Sequence, residues 1–433
     1  MQSHATATQQ RASSIARGVW WWLPTLYFAQ GMPYEAVMTL SVVFYKNMGV
    51  SNIDIALYTS WLYLPFVIKP LWSPLVDMFG TKRGWVLVLE ALLAAAFAVL
   101  ALAIPMSGYF QLTLAVFWLL AFSAATHDIA SDGFYMLPLN THEQAAYVGV
   151  RSLFFRMAKL TAQGGLVFLA GKLMEASGKV QLAWSTVFFV LAGMFALLFA
   201  YHRWAMPRPA SDHAVKQQGS FLVGFFSVFA KFLRRKHIGL LLAFLLCYRF
   251  GESQLVKMAP PFLLDATSKG GLGLSTANVG LVYGTLGMVM LTVGGLLSSW
   301  LVARDGLKRW LWPMALAIKL PHLVYVYLAV VQPASLLLIA AAVGVEQLGY
   351  GFGFTAYILF MIMNSDGEHK TAHYAICAGF MAMGMMVPGM FSGWIQDKLG
   401  YANFFWWVCV AAVPCFIATA CIKVDENFGK EGT

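Results

Sequence analysis

Residues 73–83 read SPLVDMFGTKR. Asp77 closes an apolar run, at a point where a carboxylate either caps a neighbouring helix N-terminus or pairs with a basic residue. Gly80 gives the backbone freedom of a tight turn, and Lys82 and Arg83 follow it with two positive charges. Such a loop between two apolar runs is a short crossing from one membrane helix to the next. The pattern returns 226 residues on, where DGLKRWL (305–311) matches FGTKRGW (79–85), so Gly306, Lys308 and Arg309 repeat Gly80, Lys82 and Arg83. Ala303 stands in the place of Asp77, so the two latches are expected to be asymmetric.

Composition agrees with the membrane reading. Sixty per cent of the residues are hydrophobic and 11% charged, less than half of the roughly 25% usual in soluble domains; mean hydropathy is +0.68. The N-terminus is polar, with Arg11 and Arg17 before the first apolar run, and that run holds Gly31, Pro33 and Glu35. It reads as a retained helix and not as a cleaved signal peptide. The five cysteines lie inside apolar runs without metal spacing, so neither metal nor cofactor is expected. The net charge of +10 falls mostly in alternate loops, as the positive-inside rule requires, which argues against nucleic acid as a partner. No phosphate-cradling G-x-x-x-x-G-K-[ST] string occurs, so ATP is not the expected energy source.

Apolar runs between polar or Gly/Pro breaks predict an all-α polytopic membrane protein of 12 transmembrane helices. The expected spans are 19–45, 53–76, 84–105, 109–137, 144–174, 181–204, 238–264, 276–302, 308–331, 334–363, 371–396 and 402–423. Three more pairs of segments repeat at nearly the same displacement. GVSNIDIALY from Gly49 matches GLSTANVGLVY from Gly273, FAQGMPYEAV around Gly31 matches YRFGESQLVK around Gly251, and AGKLMEASGK at Gly171 matches SGWIQDKLGY at Gly393. The chain is therefore expected to hold a cytoplasmic arm (1–18), a six-helix bundle (19–204), a cytoplasmic linker with an amphipathic basic segment (205–237), a second bundle (238–423) and a cytoplasmic tail (424–433). Two pseudo-symmetric bundles in parallel are the plan of one large transporter class with its site between the halves.

Charged residues inside such helices normally face water or a partner, since a charge at the bilayer centre costs about 2.5–3.5 kcal/mol. FSAATHDIASDGFYM (122–136) carries His127, Asp128 and Asp132. Asp128 and Asp132 lie about 40° apart around a helix and share a face. Arg151, Arg156 and Lys159 on the fifth span are candidate partners, and Arg156 with Lys159 forms a candidate grip on an anion. On the seventh span Arg249 and Glu252 are three apart, spaced to pair with each other. Glu35, Lys69, Lys319, His322 and Glu346 are further intramembrane candidates, with Gln347 and Tyr350 beside Glu346 lining a polar face. His127 and Asp132 also match the H-x4-D spacing of lipid acyltransferases, a membrane-enzyme alternative. On a helix those two side chains point about 140° apart, a poor geometry for a dyad.

The 73–83 loop resembles the loop signature of the major facilitator superfamily. IKPLWSPLVD (68–77), THDIASDGF (126–134), FAQGMPY (28–34), YRFGE (248–252) and HYAICAGFMAMG (373–384) resemble AmpG-type permeases, over nearly the whole chain and in order. Related acetyl-coenzyme A transporters share a similar fourth-helix string, with Gln in the place of His127. The resemblance implies a proton-driven, non-enzymatic importer in the bacterial inner membrane; a monomer is expected, and the alternate basic loops predict that both termini are cytoplasmic. The implied substrate is an anionic muropeptide, N-acetylglucosaminyl-anhydro-N-acetylmuramyl peptide, taken up for cell-wall recycling; an acyl-coenzyme A or another amino sugar is the alternative. It places weight on Lys69, Asp77, Asp128, Asp132, Arg156 and Glu252, while Arg249 stands where similar proteins carry lysine.

Overall fold

The computed structural model describes residues 2–139, 141–214, 229–235, 237–365, 370–425 and 428. The expected amphipathic basic segment of the linker lies largely outside them. Every regular element among the described residues is helical, the form that satisfies a lipid-embedded backbone within one segment. Nine helices among them are long and apolar enough to cross a membrane, from Lys82–Ala103 to His373–Cys421. The last of these turns sharply at Gly400 (φ 71°, ψ 166°), between two of the expected spans. Large apolar side chains point out of the protein along these helices, Leu337 at 80% and Leu197 at 73% exposure, as lipid-facing residues do.

Proline shapes the second expected span. Residues 53–76 form Asn52–Trp61, Leu64–Ile68, a 3-10 turn at Lys69–Leu71 and Ser73–Met78. Pro65 and Pro74 open the second and last of these pieces, where a missing N–H breaks no helical bond. The first helix begins at Gln2, inside the stretch expected as a polar arm, and runs to Glu35 before a π turn at Ala36–Leu40 and a helix at Ser41–Asn47.

Local geometry repeats at the displacement seen in the sequence. Gly49 and Gly273, Gly80 and Gly306, and Gly178 and Gly400 all have positive φ, between 65° and 84°. The hydroxyls of Ser51 and Ser275 cap the helices that follow, accepting from the backbone N–H of Asp54 and Asn278. By contacts the chain divides into two compact units. Met1–Ala36, Trp72–Thr161 and Trp184–Gln217 form the first, and Val37–Leu71, Ala162–Ala183 and Gln218–Thr433 the second. Two of the passages between units fall at π turns, Ala36–Leu40 and Thr161–Leu166.

Candidate functional site

In the first unit the polar residues gather around the helix Gln2–Glu35. Asp132 accepts from the Tyr27 hydroxyl at 3.0 Å and from Arg151 Nη2 at 2.9 Å. The Arg151 guanidinium lies over the Tyr27 and Tyr135 rings, 4.7 and 5.3 Å from their centroids, so the cation is held by a carboxylate and two π faces at once. Asp128 accepts from Gln30 Nε2. Asp128 and Asp132 thus share a helix face, as the spacing predicts, but are served by different donors. Close approach is set by Gly31: a Cβ there would lie 2.7 Å from Ala158 Cβ and 3.0 Å from the Phe155 carbonyl oxygen.

Lys159, expected beside Arg156 as a candidate anion grip, is engaged by an acid of the first helix. Its Nζ pairs with Glu35 at 2.7 Å and lies over Tyr34 and Phe155. Arg156 is half-buried and makes no ion pair among the described residues. Glu35 is only 2% exposed. Lys159→Met is therefore expected to destabilise the protein by about 3 kcal/mol, because a buried carboxylate loses its cation. The double variant Glu35→Gln/Lys159→Met should recover most of that loss in a thermal melt.

In the second unit the seventh span breaks at Arg249 (φ −107°, ψ 12°), between helices Ile238–Cys247 and Phe250–Leu264. The break separates the residues expected to pair. Arg249 donates to the Tyr350 hydroxyl and its guanidinium carbon lies 4.9 Å from the Phe354 ring centroid. Glu252, in the first turn of the second piece, bonds His322 Nε2 at 2.9 Å. The Arg249–Glu252 pair read from the sequence is replaced by Glu252–His322, since a local spacing says nothing about a histidine 70 residues away. Lys319, 4% exposed, has no hydrogen-bond partner for its Nζ. Glu346 accepts from Gln347 at 2.9 Å, and Lys69 is half-buried in its 3-10 turn.

At the loop that opened the reading, Asp77 pairs with Lys82, and Arg83 donates to the carbonyl oxygens of Met206 and Arg203. Asp212 accepts from the backbone N–H groups of Lys82 and Arg83 at 2.7 and 3.0 Å, capping that helix. The second copy has its own acid: Asp305 accepts from Arg304, Arg309 and Trp310. Its carboxylate sits two residues later in the motif, so the alignment with Asp77 hid it.

Several buried polar groups had no place in the sequence reading. Lys257, 5% exposed, donates to Thr59 at 2.8 Å and lies over the Tyr63 ring. Glu90 accepts from His202 Nδ1 at 2.6 Å, with His127 Nε2 at 3.6 Å, all three fully buried. Glu90 is the one acid between Lys82 and Ala103, which was the available signal. Lys46 pairs with Asp265, 2.7 Å away. That pair lines a cleft of about 310 Å³ together with Asn47, Gly171, Glu175 and Thr276, and the cleft holds none of the expected binding residues.

Long apolar helices that bury cations without ion pairs among the described residues define a polytopic membrane transporter. The chain belongs to the Major Facilitator Superfamily, whose model matches residues 25–376. The anhydromuropeptide permease of Escherichia coli K12 is 26% identical over 418 residues, covering 93% of this chain and 81% of that protein. An uncharacterized protein of Haemophilus influenzae is 26% identical over 425 residues, covering 92% of this chain and 94% of that one. A bacterial homolog of the human lysosomal transporter Spinster superimposes with a TM-score of 0.69 at 13% identity, over 94% of this chain and 95% of that one, a likeness of fold. The family is one of permeases, and the acyltransferase alternative also fails on geometry. His127 faces Glu90 and Ser131, while Asp132 is engaged by Tyr27 and Arg151.

Proposed function

We propose that this chain is a proton-coupled importer of the bacterial inner membrane carrying anionic sugar peptides of the anhydromuropeptide class. The observation that carries the reading is a set of buried cations that make no ion pair among the described residues. Arg249, Lys257 and Lys319 are 6%, 5% and 4% exposed, and none makes an ion pair within the described residues; Arg156 in the first unit has none either. Each such charge costs about 2.5–3.5 kcal/mol at the bilayer centre on insertion scales, a penalty that an anionic solute offsets on arrival. Arg156 and Arg249 offer planar forks suited to carboxylates. The Escherichia coli relative, named for anhydromuropeptides, supports the substrate class.

Glu252, Asp128 and Asp132 are the acids assigned to proton coupling, with Lys69, Lys159, Glu35, Glu346, Gln347 and Tyr350 completing the polar surroundings. Asp77, Gly80, Lys82, Arg83, Gly306, Lys308 and Arg309 form a cytoplasmic gate. The chain is taken to cross the membrane twelve times as a monomer with both termini in the cytoplasm, the side that basic loops favour. Purified chain in proteoliposomes is expected to accumulate labelled anhydromuropeptide when an inward proton gradient is imposed. A protonophore should collapse that accumulation, and unlabelled muropeptide should compete where acyl-coenzyme A and free amino sugars do not. Uptake indifferent to the gradient would remove the coupling, and competition by the thioester would change the substrate.

A further inference from the structure

We propose that Lys257 is a second anion-binding residue, about 12 Å along its helix from Arg249, so that the solute is recognised through two separated acidic groups. The proposal rests on the importer reading for the kind of solute that brings those acids. Both cations belong to the seventh span, within the second unit. Arg249 stands at the break that opens the helix Phe250–Leu264, and Lys257 comes eight residues later. On a helix that is about 12 Å further along the axis and about 80° round it. Tyr63 links the two: Lys257 Nζ is 5.5 Å from its ring centroid, and its hydroxyl lies in the field of Arg249.

Neither cation is saturated by the chain. An ammonium has three N–H groups and a guanidinium five. Lys257 gives one to the Thr59 hydroxyl at 2.8 Å. Arg249 donates to the Tyr350 hydroxyl, while its Nε has no hydrogen-bond partner. Arg249 has Glu252 in its field, whereas Lys257 has no acid near it among the described residues. A residue that only tied two helices together through a threonine could do so with a neutral donor, without the cost of a charge among apolar neighbours. A further donor stands close by. Ser60 Oγ is buried without a hydrogen-bond partner. A Cβ at Gly389 would lie 2.8 Å from that oxygen and 3.8 Å from Lys257 Cε, so both side chains border the same glycine. Ammonium N–H groups and one hydroxyl suit a carboxylate, whose two oxygens only accept. Arg249, a planar fork 4.9 Å from the Phe354 ring centroid, serves the other acid. The favoured solute then carries two carboxylates about 12 Å apart, the length of three to four extended residues. A solute with one acid leaves one buried cation without a counter-charge.

Equilibrium binding to the purified full chain, without a proton gradient, tests this. The probes are a synthetic anhydromuropeptide whose two carboxylates stand about 12 Å apart and the two monoamides of the same compound. In the wild-type protein either amide should bind about 10- to 100-fold more weakly than the diacid, the range of a hydrogen bond to a charged group. In Lys257→Met one of the two amidations should cease to matter while the other keeps its full effect, and in Arg249→Met the roles should exchange. Lys257→Met should also melt no lower than the wild type, because it removes a buried charge that has no counter-charge. Equal weakening of all three probes in Lys257→Met, with a lower melting temperature, makes the lysine a structural tie and overturns the proposal. So does a wild-type protein indifferent to amidation, or a Lys257→Met protein in which both amidations still matter. Gradient-driven uptake is the separate readout. Uptake that ignores amidation overturns the two-point grip and keeps the importer, whereas discrimination in binding with no proton-driven uptake overturns the importer and keeps the grip.

Discussion

Glu252→Gln is expected to abolish accumulation of substrate against its gradient, with the initial rate of proton-driven uptake falling about 10- to 100-fold. Glu252 is fully buried and lies one turn into the helix that restarts after the break at Arg249. Oε2 bonds His322, while Oε1 has no hydrogen-bond partner. Glutamine keeps the size and one hydrogen bond but neither binds nor releases a proton. A hydrogen bond to a charged group contributes about 1.5–3 kcal/mol, and each 1.4 kcal/mol is about a factor of ten, which sets the range. His322→Asn should move uptake in the same direction. Initial-rate uptake in proteoliposomes at fixed gradient checks both, and a Glu252→Gln protein that concentrates substrate normally would remove this acid from the coupling.

The largest effect on stability is expected at a residue with no polar chemistry. A Cβ at Gly351, in the helix Leu336–Met363, would lie 1.9 Å from the carbonyl oxygen of Leu291 in the helix Gly287–Asp305. From the opposite side, a Cβ at Gly294 would lie 2.1 Å from the Leu348 carbonyl oxygen. These are backbone atoms and cannot rotate aside, so both helices would have to separate. Overpacking costs roughly 1–3 kcal/mol where side chains can adjust, and Gly351→Ala should reach or exceed the top of that range. Gly344→Ala is the control on the same helix, since its Cβ would meet only Met290 and Leu286 side-chain atoms at 3.5 and 3.8 Å. Melting in detergent should separate the two; equal melting points would mean that the small residues are not what lets these helices touch. Gly294 and Gly295 are adjacent in the sequence, and small residues of this kind mark helix contacts in lipid.

Much of the architecture was open to reading because membrane burial is a local rule. A helix that must satisfy its own backbone in lipid declares itself by length and apolar content, and turn glycines repeat wherever the chain must reverse. Gly80 and Gly306 show this: each was assigned to a tight turn, and each has φ above 70°. Pairing was less legible. Arg249 and Glu252 sit at a spacing that suits a local pair on a continuous helix, and the backbone break between Cys247 and Phe250 removes that geometry. Lys46 and Asp265 are 219 residues apart, a separation that no window on the sequence covers.

By itself the sequence determined that the chain is helical and membrane-spanning, where it turns, that its segments repeat, and which charges are stranded among apolar neighbours. Each of these depends on residues within one turn or one helix. Only the tertiary structure decided which stranded charge meets which partner: Glu252 with His322, Glu35 with Lys159, Glu90 with His202, and Lys257 with a threonine instead of an acid. A buried charge is stabilised by whatever polar atom arrives within about 3 Å, and that atom is delivered by helix packing, which sets side chains distant in sequence against one another.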